Sequence, residues 1–548
     1  MALLLDIFGF LTVLLAGFGR AAQCFYLGSV LFLALLAQPL AATLGADADR
    51  IAALARRIAF YAVAVLLAIL AVSLWAHVVI LAGTIDGDYA HAMGGSYALA
   101  QSVRIVAGFL ALVLLWRQKS LGVFLPALAL VDLAAGMATS HAAARLEDQA
   151  VLFLATGLHH AGAAIWIGGL PAFLGTLKML PQGAALAAVA QRYSAMSMAG
   201  VAAILISGLL MLVFYVGSTE AVYGTAYGMM LGTKSILFVS LLGLGLFNAL
   251  AVRQLQSGFS TALPRLKRFV EVEIGIGISI LLVAASITSL PPAIDLVEGR
   301  ATARDILERL EPRWPALTSP DKESLAFYEE QRQIRAAEAI GAQHMQAYVP
   351  GSGVPLPRNA EDIAWSEYNH HISGVFVLLI GILALAEKTG RARWARHWPL
   401  LFILMAGFLF LRSEAEGWPF GSLSLGESLR DPEYIQHKLF MVLITAFALF
   451  EWSVRSGIMA RRWASYVFPL LCAAGGTMLL THSHSIANVR ELLLLEMTHL
   501  PIAVLGIWAG WTRWLELRMD GSVQRIGGWL WPSFLALVGI ILLLYREI

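Results

Sequence analysis

Long apolar runs recur from one end of this chain to the other, and they limit what it can fold into. They fall roughly at 3–19, 24–44, 58–82, 103–116, 121–138, 149–175, 194–216, 229–252 and 270–290. After a gap come 369–387, 397–412, 437–453, 464–481, 491–512 and 528–545. Most approach the ~20 residues a helix needs to cross about 30 Å of hydrocarbon. They lack the period-2 alternation of barrel strands. The expected fold is therefore all-α, a polytopic integral membrane helical bundle of about fifteen transmembrane helices in two halves. Composition agrees: 14% of residues are charged, against roughly 25% in soluble domains. Nucleic acid is not an expected partner, because the net charge is +2 and no basic cluster with interleaved aromatics occurs. Membrane lipid is. Cys24 and Cys472 lie in separate runs and suggest no disulfide framework. No small-residue cleavage site follows the first run, so it is expected to stay as a helix.

Lys and Arg set the orientation. With a cytoplasmic N-terminus, the inner loops hold Arg50, Arg56 and Arg57; Arg117 and Lys119; Lys178 and Arg192; Arg253, Arg265, Lys267 and Arg268. In the second half they hold Lys388, Arg391, Arg393 and Arg396; Arg455, Arg461 and Arg462; Arg513, Arg518 and Arg525. Residues 293–365 read differently: charged, helix-friendly, ending in the turn-rich "VPGSGVPLPRN". They are expected to form a soluble, mostly helical excursion on the outer side. It divides an N-terminal membrane half (1–292) from a six-helix C-terminal half (366–548).

The chain has thirteen histidines. On this topology all but His397 fall in outer loops or outer halves of helices, so the outer face has a use for imidazole. Two stretches sharpen this. In Gly136–Gly169 and again in Met478–Trp508, a methionine precedes a histidine by four: Met137 and His141, Met478 and His482. That spacing places both side chains on one helical face if the helix reaches that far. After an outer loop each stretch meets a deeper histidine, His159 or His499; His160 and His484 add to the sets. Thioether and neutral imidazole suit soft or borderline ions, Cu(I) best. A methionine at helical spacing commonly fills a core, and a lone histidine commonly makes a hydrogen bond. The double occurrence favours metal.

His370, His371 and His437 also open helices from outside, and are candidate ligands for a second metal or for b-type haem. Met196 and Met198 read as core filling, and His344 with Met345 as a loose outer site at most. Asp132, Lys234, Glu273 and Glu496 are costly in lipid unless paired, so ion pairs or hydrogen bonds are expected for them. "EKTG" at Glu387–Gly390 lacks the aspartate of a phosphorylation loop, and no GxxxxGK[ST] is present, so ATP is not expected. No Ser/His/Asp or HExxH set marks an enzyme.

"LHHAGAAIWIGGL" (158–170), "RYSAMSMAGVAAILISGLL" (192–210), "TAYGMMLGTKSILF" (225–238), Asn248, and "FVEVEIG" with Glu273 before "SLPPA" form a set. This set resembles the CopD family of bacterial inner-membrane copper proteins, over roughly 130–295. The part beyond 295 resembles the extension of longer members. The resemblance implies copper uptake or handling, often beside a periplasmic CopC-type partner, with His141 and His159 as candidate copper ligands. Spacing alone says soft metal or haem. The expected function is acceptance of Cu(I) outside and passage inward by ligand exchange. Alternatives are a haem-binding electron carrier and a copper-delivery factor for a membrane metalloenzyme.

Overall fold

The computed structural model describes residues 2–84, 89–117, 122–145, 147–259, 261–339, 358–481 and 490–547. Every regular element among them is helical. Ten helices are long and apolar enough to cross a membrane, and Phe124–Met137, Leu400–Arg412 and Ala464–Leu479 are shorter apolar ones. Two compact units emerge, Phe10–Arg300, and Ala301–Ile548 with Met1–Gly9.

The first unit contains α1 (Ala2–Phe32) from Phe10 on, α2 (Ala48–Thr84), α3 (Ser96–Trp116), α4 (Phe124–Met137), α5 (Gln149–Ala163), α6 (Leu170–Met179), α7 (Ala184–Tyr215), α8 (Ala226–Gln256) and α9 (Ala262–Ser289). One expectation fails here. The runs at 3–19 and 24–44 are not two helices, because α1 continues unbroken through Arg20 and into a π-helical turn, Leu33–Ala37. Arginine is a good helix former, and its charge is accommodated: the guanidinium donates to Ala284 O and Thr288 Oγ1, both at 2.6 Å. The first unit therefore has one crossing fewer than the sequence suggested.

Close backbone contact fixes the centre of this unit. A Cβ on Gly28 would lie 2.1 Å from the Gly168 carbonyl carbon, so α1 packs there without side chains between. The partner is a second π-helical segment, Ala164–Gly168, joining α5 to α6. It carries Trp166, which is buried. Helices α5 and α7 pack together, as do α8 and α9.

The second unit contains α10 (Ala303–Leu310), α11 (Ala326–Ala339), α12 (Ala360–Lys388), α13 (Leu400–Arg412), α14 (Pro432–Arg455), α15 (Val467–Leu479), α16 (Arg490–Arg518) and α17 (Gly521–Leu543). Capping boxes start α10 (Thr302 with Asp305) and α12 (Asn359 with Asp362). The expected excursion docks on the unit it precedes: Tyr328 OH donates to Ala415 O (2.8 Å) and Arg546 to Glu308 O (2.7 Å). Helices α12, α17, α16 and α15 pack in that order.

Candidate metal site

The first methionine–histidine pair does not share a helix. Helix α4 stops at Met137, where Ser140 Oγ caps back onto Met137 O (2.7 Å). Ser140 is extended and His141 starts a separate helical turn, His141–Ala144. The small polar run Thr139–Ser140 bonds its own backbone and ends the helix. The Met137 sulfur instead lies over α5, 3.4 Å from where a Cβ on Gly157 would be. His160 is three residues further along that face.

His141 sits between α4 and α5, its ring 6.2 Å from that of Tyr215. One side of the ring meets the Leu290 backbone. Nε2 is buried with no hydrogen-bond partner. Burial, then Arg20 nearby, lowers its pKa from the ordinary histidine value, so the ring is held neutral. A neutral imidazole with an unengaged nitrogen is a ligand in waiting.

His159 lies deeper on α5. Its Nδ1 is 3.2 Å from Ser207 Oγ. That hydroxyl donates to Ala203 O (2.6 Å), which assigns the proton to Nδ1 and the lone pair to Nε2, and the ring also meets the Ile204 backbone. His160, next in sequence, points about 100° away around the helix, into the electrostatic reach of Arg20 and Arg104. Ser207, Met211 and Tyr215 form one stripe of α7, at steps of four. They meet His159, Thr156 (Oγ1 to Met211 Sδ, 3.9 Å) and His141 in turn. The sequence reading missed Met211, although this spacing signalled it.

Charged groups near these histidines divide into kinds. Asp132 is paired as expected, with Arg104 Nε at 3.0 Å and Gln23 Nε2 at 2.7 Å. Glu273 accepts from Trp166 Nε1 (2.8 Å) and Asn248 Nδ2 (2.5 Å). Lys234 departs from expectation: it lies within electrostatic reach of Arg20 and His159, with no hydrogen bond or ion pair among the described residues.

The C-terminal candidates are held differently. Met478 ends α15 and is exposed. His482 and His484 fall outside the described residues, as do His344, Met345 and the Glu496 side chain. His370 on α12 and His499 on α16 come together, ring centroids 6.4 Å apart. His370 Nδ1 bonds Ser366 O (2.9 Å), and its ring stacks on Tyr545 at 3.8 Å. His371 has both nitrogens against carbonyls, Ala316 O (3.2 Å) and Tyr545 O (2.8 Å). His437 is bonded to Glu414, which Lys438 also pairs at 3.0 Å. His371 is thus tied on both sides. Among the described residues no group of three or more His, Cys, Asp or Glu can hold a metal ion. What the first unit offers is single imidazoles, with the Met137 sulfur over Gly157 and the Met211 sulfur against Thr156.

Residues 187–287 match the family described as CopD, copper resistance protein D. A stretch of 157 residues is 37% identical to the copper transport protein CutJ of Bacillus subtilis (strain 168). It covers 28% of this chain and 28% of that relative, so the chain matches under a third of the relative's length. No solved structure matches. The family match holds Ser207, Met211, Lys234, Asn248 and Glu273; His141, His159 and His160 precede it.

Proposed function

From the match of residues 187–287 to the CopD family we propose that the chain is a member of that family and a copper transporter, not an enzyme, of the bacterial inner membrane. Copper crosses as Cu(I). The reading is carried by one observation, the His141 ring, whose Nε2 is buried with no hydrogen-bond partner, on the segment just before the helix that carries His159. Cu(I) docks at His141, with Tyr215 beside it, and moves to His159. The thioethers of Met137 and Met211 line the way. Two ligands or fewer per stop give weak binding, and Arg20 and Lys234 nearby weaken it further. An ion in transit needs to leave each stop as readily as it arrives.

The basic loops face the cytoplasm. Because residues 2–37 form one helix, the start of α1 then faces outward, the reverse of the expectation from two separate spans. A periplasmic CopC-type carrier presents the ion, and delivery onward to a membrane metalloenzyme is the neighbouring role. Uptake of Cu(I) into sealed vesicles holding the full chain tests the reading. His141→Ala and His159→Ala each lower the initial rate by roughly tenfold, the effect of ~1.4 kcal/mol at a single stop. Unchanged uptake in both variants sinks it. An absorption spectrum of the same protein shows no Soret band; a strong one would revive haem at His370 and His499.

A further inference from the structure

A cavity of about 260 Å³ opens in the first unit, lined among others by Trp166, Tyr193, Ser197, Met198, Asn248 and Glu273. It lies toward the basic-loop end of the bundle. Trp166 is seven residues past His159, about 10 Å along the helix. The volume holds an ion and several waters, at ≈ 30 Å³ for each water.

Glu273 is 2% exposed. Both its hydrogen-bond donors, Trp166 and Asn248, are neutral. The bases around it face elsewhere. On its own helix Arg268 pairs with Glu271 (2.6 Å), and Lys267 lies in reach of Arg268 and Lys178. From α6, Lys178 faces Glu271 (3.7 Å); from α7, Arg192 donates to Leu35 O (2.5 Å). On α8, Arg253 is exposed, and Lys234 is about 21 Å along the helix from Asn248. Tyr193 donates its hydroxyl to Trp166 O (2.5 Å), not to the carboxyl group. Among the described residues no cation neutralises Glu273. An ionised carboxylate left alone inside a bilayer is costly, so the group takes up a proton or a positive ligand. A second observation points to the ligand. Asn248 is 8% exposed and lines the cavity, and its Oδ1 is buried with no partner.

We propose that Glu273 exchanges its proton for a monovalent cation in this cavity. The empty site holds the acid form. An arriving Cu(I) displaces the proton: the carboxyl O–H bond breaks, a carboxylate–copper bond forms, and the proton leaves through cavity water. Copper stays Cu(I) throughout. Asn248 Oδ1 supplies a second oxygen, and Met198 a sulfur at the rim. Oxygen donors hold a soft ion weakly, as a last stop before release must. The inference rests on the copper reading above and supplies the inward station that reading lacks.

Difference infrared spectra of the full chain in lipid, with and without Cu(I), test it beside proton release and vesicle uptake. In wild type, Cu(I) removes a protonated-carboxyl carbonyl band and frees about one proton per ion bound. Glu273→Gln abolishes both. Asn248→Leu keeps the carboxyl group but shifts the same band loss to higher Cu(I), so the test survives a poorly folded glutamine variant. An unchanged band in wild type that takes up copper overturns the exchange alone. So does the same band loss in Glu273→Gln. Band loss without any uptake overturns transport but keeps the site. With neither signal, both fall.

Discussion

The two units differ in how they hold particular buried charges and imidazoles, although Asp132 in the first is paired with Arg104 (3.0 Å) much as the acids of the second are. In the second unit, Arg455 joins Glu451 (2.7 Å) to Glu387 (2.6 Å), and Glu516 is bound by Arg513 (2.5 Å), Lys388 and Trp531 Nε1 (2.8 Å). His371 is bonded on both sides and His437 on a carboxylate. In the first unit Glu273 meets neutral donors, Lys234 has no hydrogen bond or ion pair among the described residues, and His141 keeps Nε2 uncommitted. Compensation of every polar group is what a scaffold requires. Groups left uncompensated in lipid are where a passing ion finds something to bind. The first unit has the character of a path, and the second that of a support.

Deleting one charge in each unit puts the sharpest strain on that contrast. Arg455→Met strands Glu451, which is 2% exposed, and costs about 3–5 kcal/mol, as for other broken buried pairs. Glu273→Gln costs less than ~1 kcal/mol. A glutamine accepts from Trp166 and, once the Asn248 amide turns over, donates to its bare Oδ1, so hydrogen bonding is kept or improved. Thermal unfolding of the purified variants in one detergent reads the difference. Equal losses would mean Glu273 is as structural as Glu451.

Histidine removal gives the next largest separation. His371→Ala removes the imidazole donor that sits between two backbone carbonyls and costs about 1–2 kcal/mol, within the range for hydrogen bonds in membranes. Copper uptake per folded molecule stays the same. His159→Ala gives up one bond to Ser207, about 0.6 kcal/mol, yet lowers uptake. Uptake lost in His371→Ala at full folding would move the path into the second unit.

Part of this was legible in the sequence. Apolar run length gives the helices, because lipid imposes it. Arg20 misled, since a charge inside an apolar run looks like a loop until its acceptors, 264 and 268 residues away, are known. Met137 and His141 misled for a local reason. Spacing of four means one face only while the helix lasts, and Thr139 and Ser140 end it. The alikeness of the two histidine stretches was real in the sequence, but it could not say which rings are tied. His371 looks as available as His159 until Tyr545, 174 residues on, places its carbonyl on Nε2. Glu273 was noticed, but its lack of a counter-ion depends on where Arg268, Lys178 and Arg192 turn.

The smallest effect expected is in acid, and it too separates the units. His141 is held below the ordinary histidine value of 6.5, by burial first and Arg20 next. A depressed pKa means the unfolded chain binds the proton first as pH falls. The first unit is therefore fully supported above 6.5 and loses stability from there down toward the lowered folded value. Glu414 in the second unit is also lowered, from 4.5: burial opposes this, but His437, Ser413 and Lys438 outweigh it. Its contribution is complete above 4.5 and is lost only as pH drops through the folded value. Mild acid then weakens the first unit before the second. Copper binding gives a cleaner reading of the same shift. An ordinary histidine is about half protonated at pH 6.5, but His141 stays neutral there, so in Glu273→Gln, where no carboxyl proton is exchanged, Cu(I) affinity changes by under about twofold between pH 7.5 and 6.5. If affinity instead fell with a midpoint at 6.5, and His141→Ala removed that midpoint, the ring would be solvated rather than buried. Its vacant nitrogen would then be a surface feature, and the distinction between path and support would lose its outermost station.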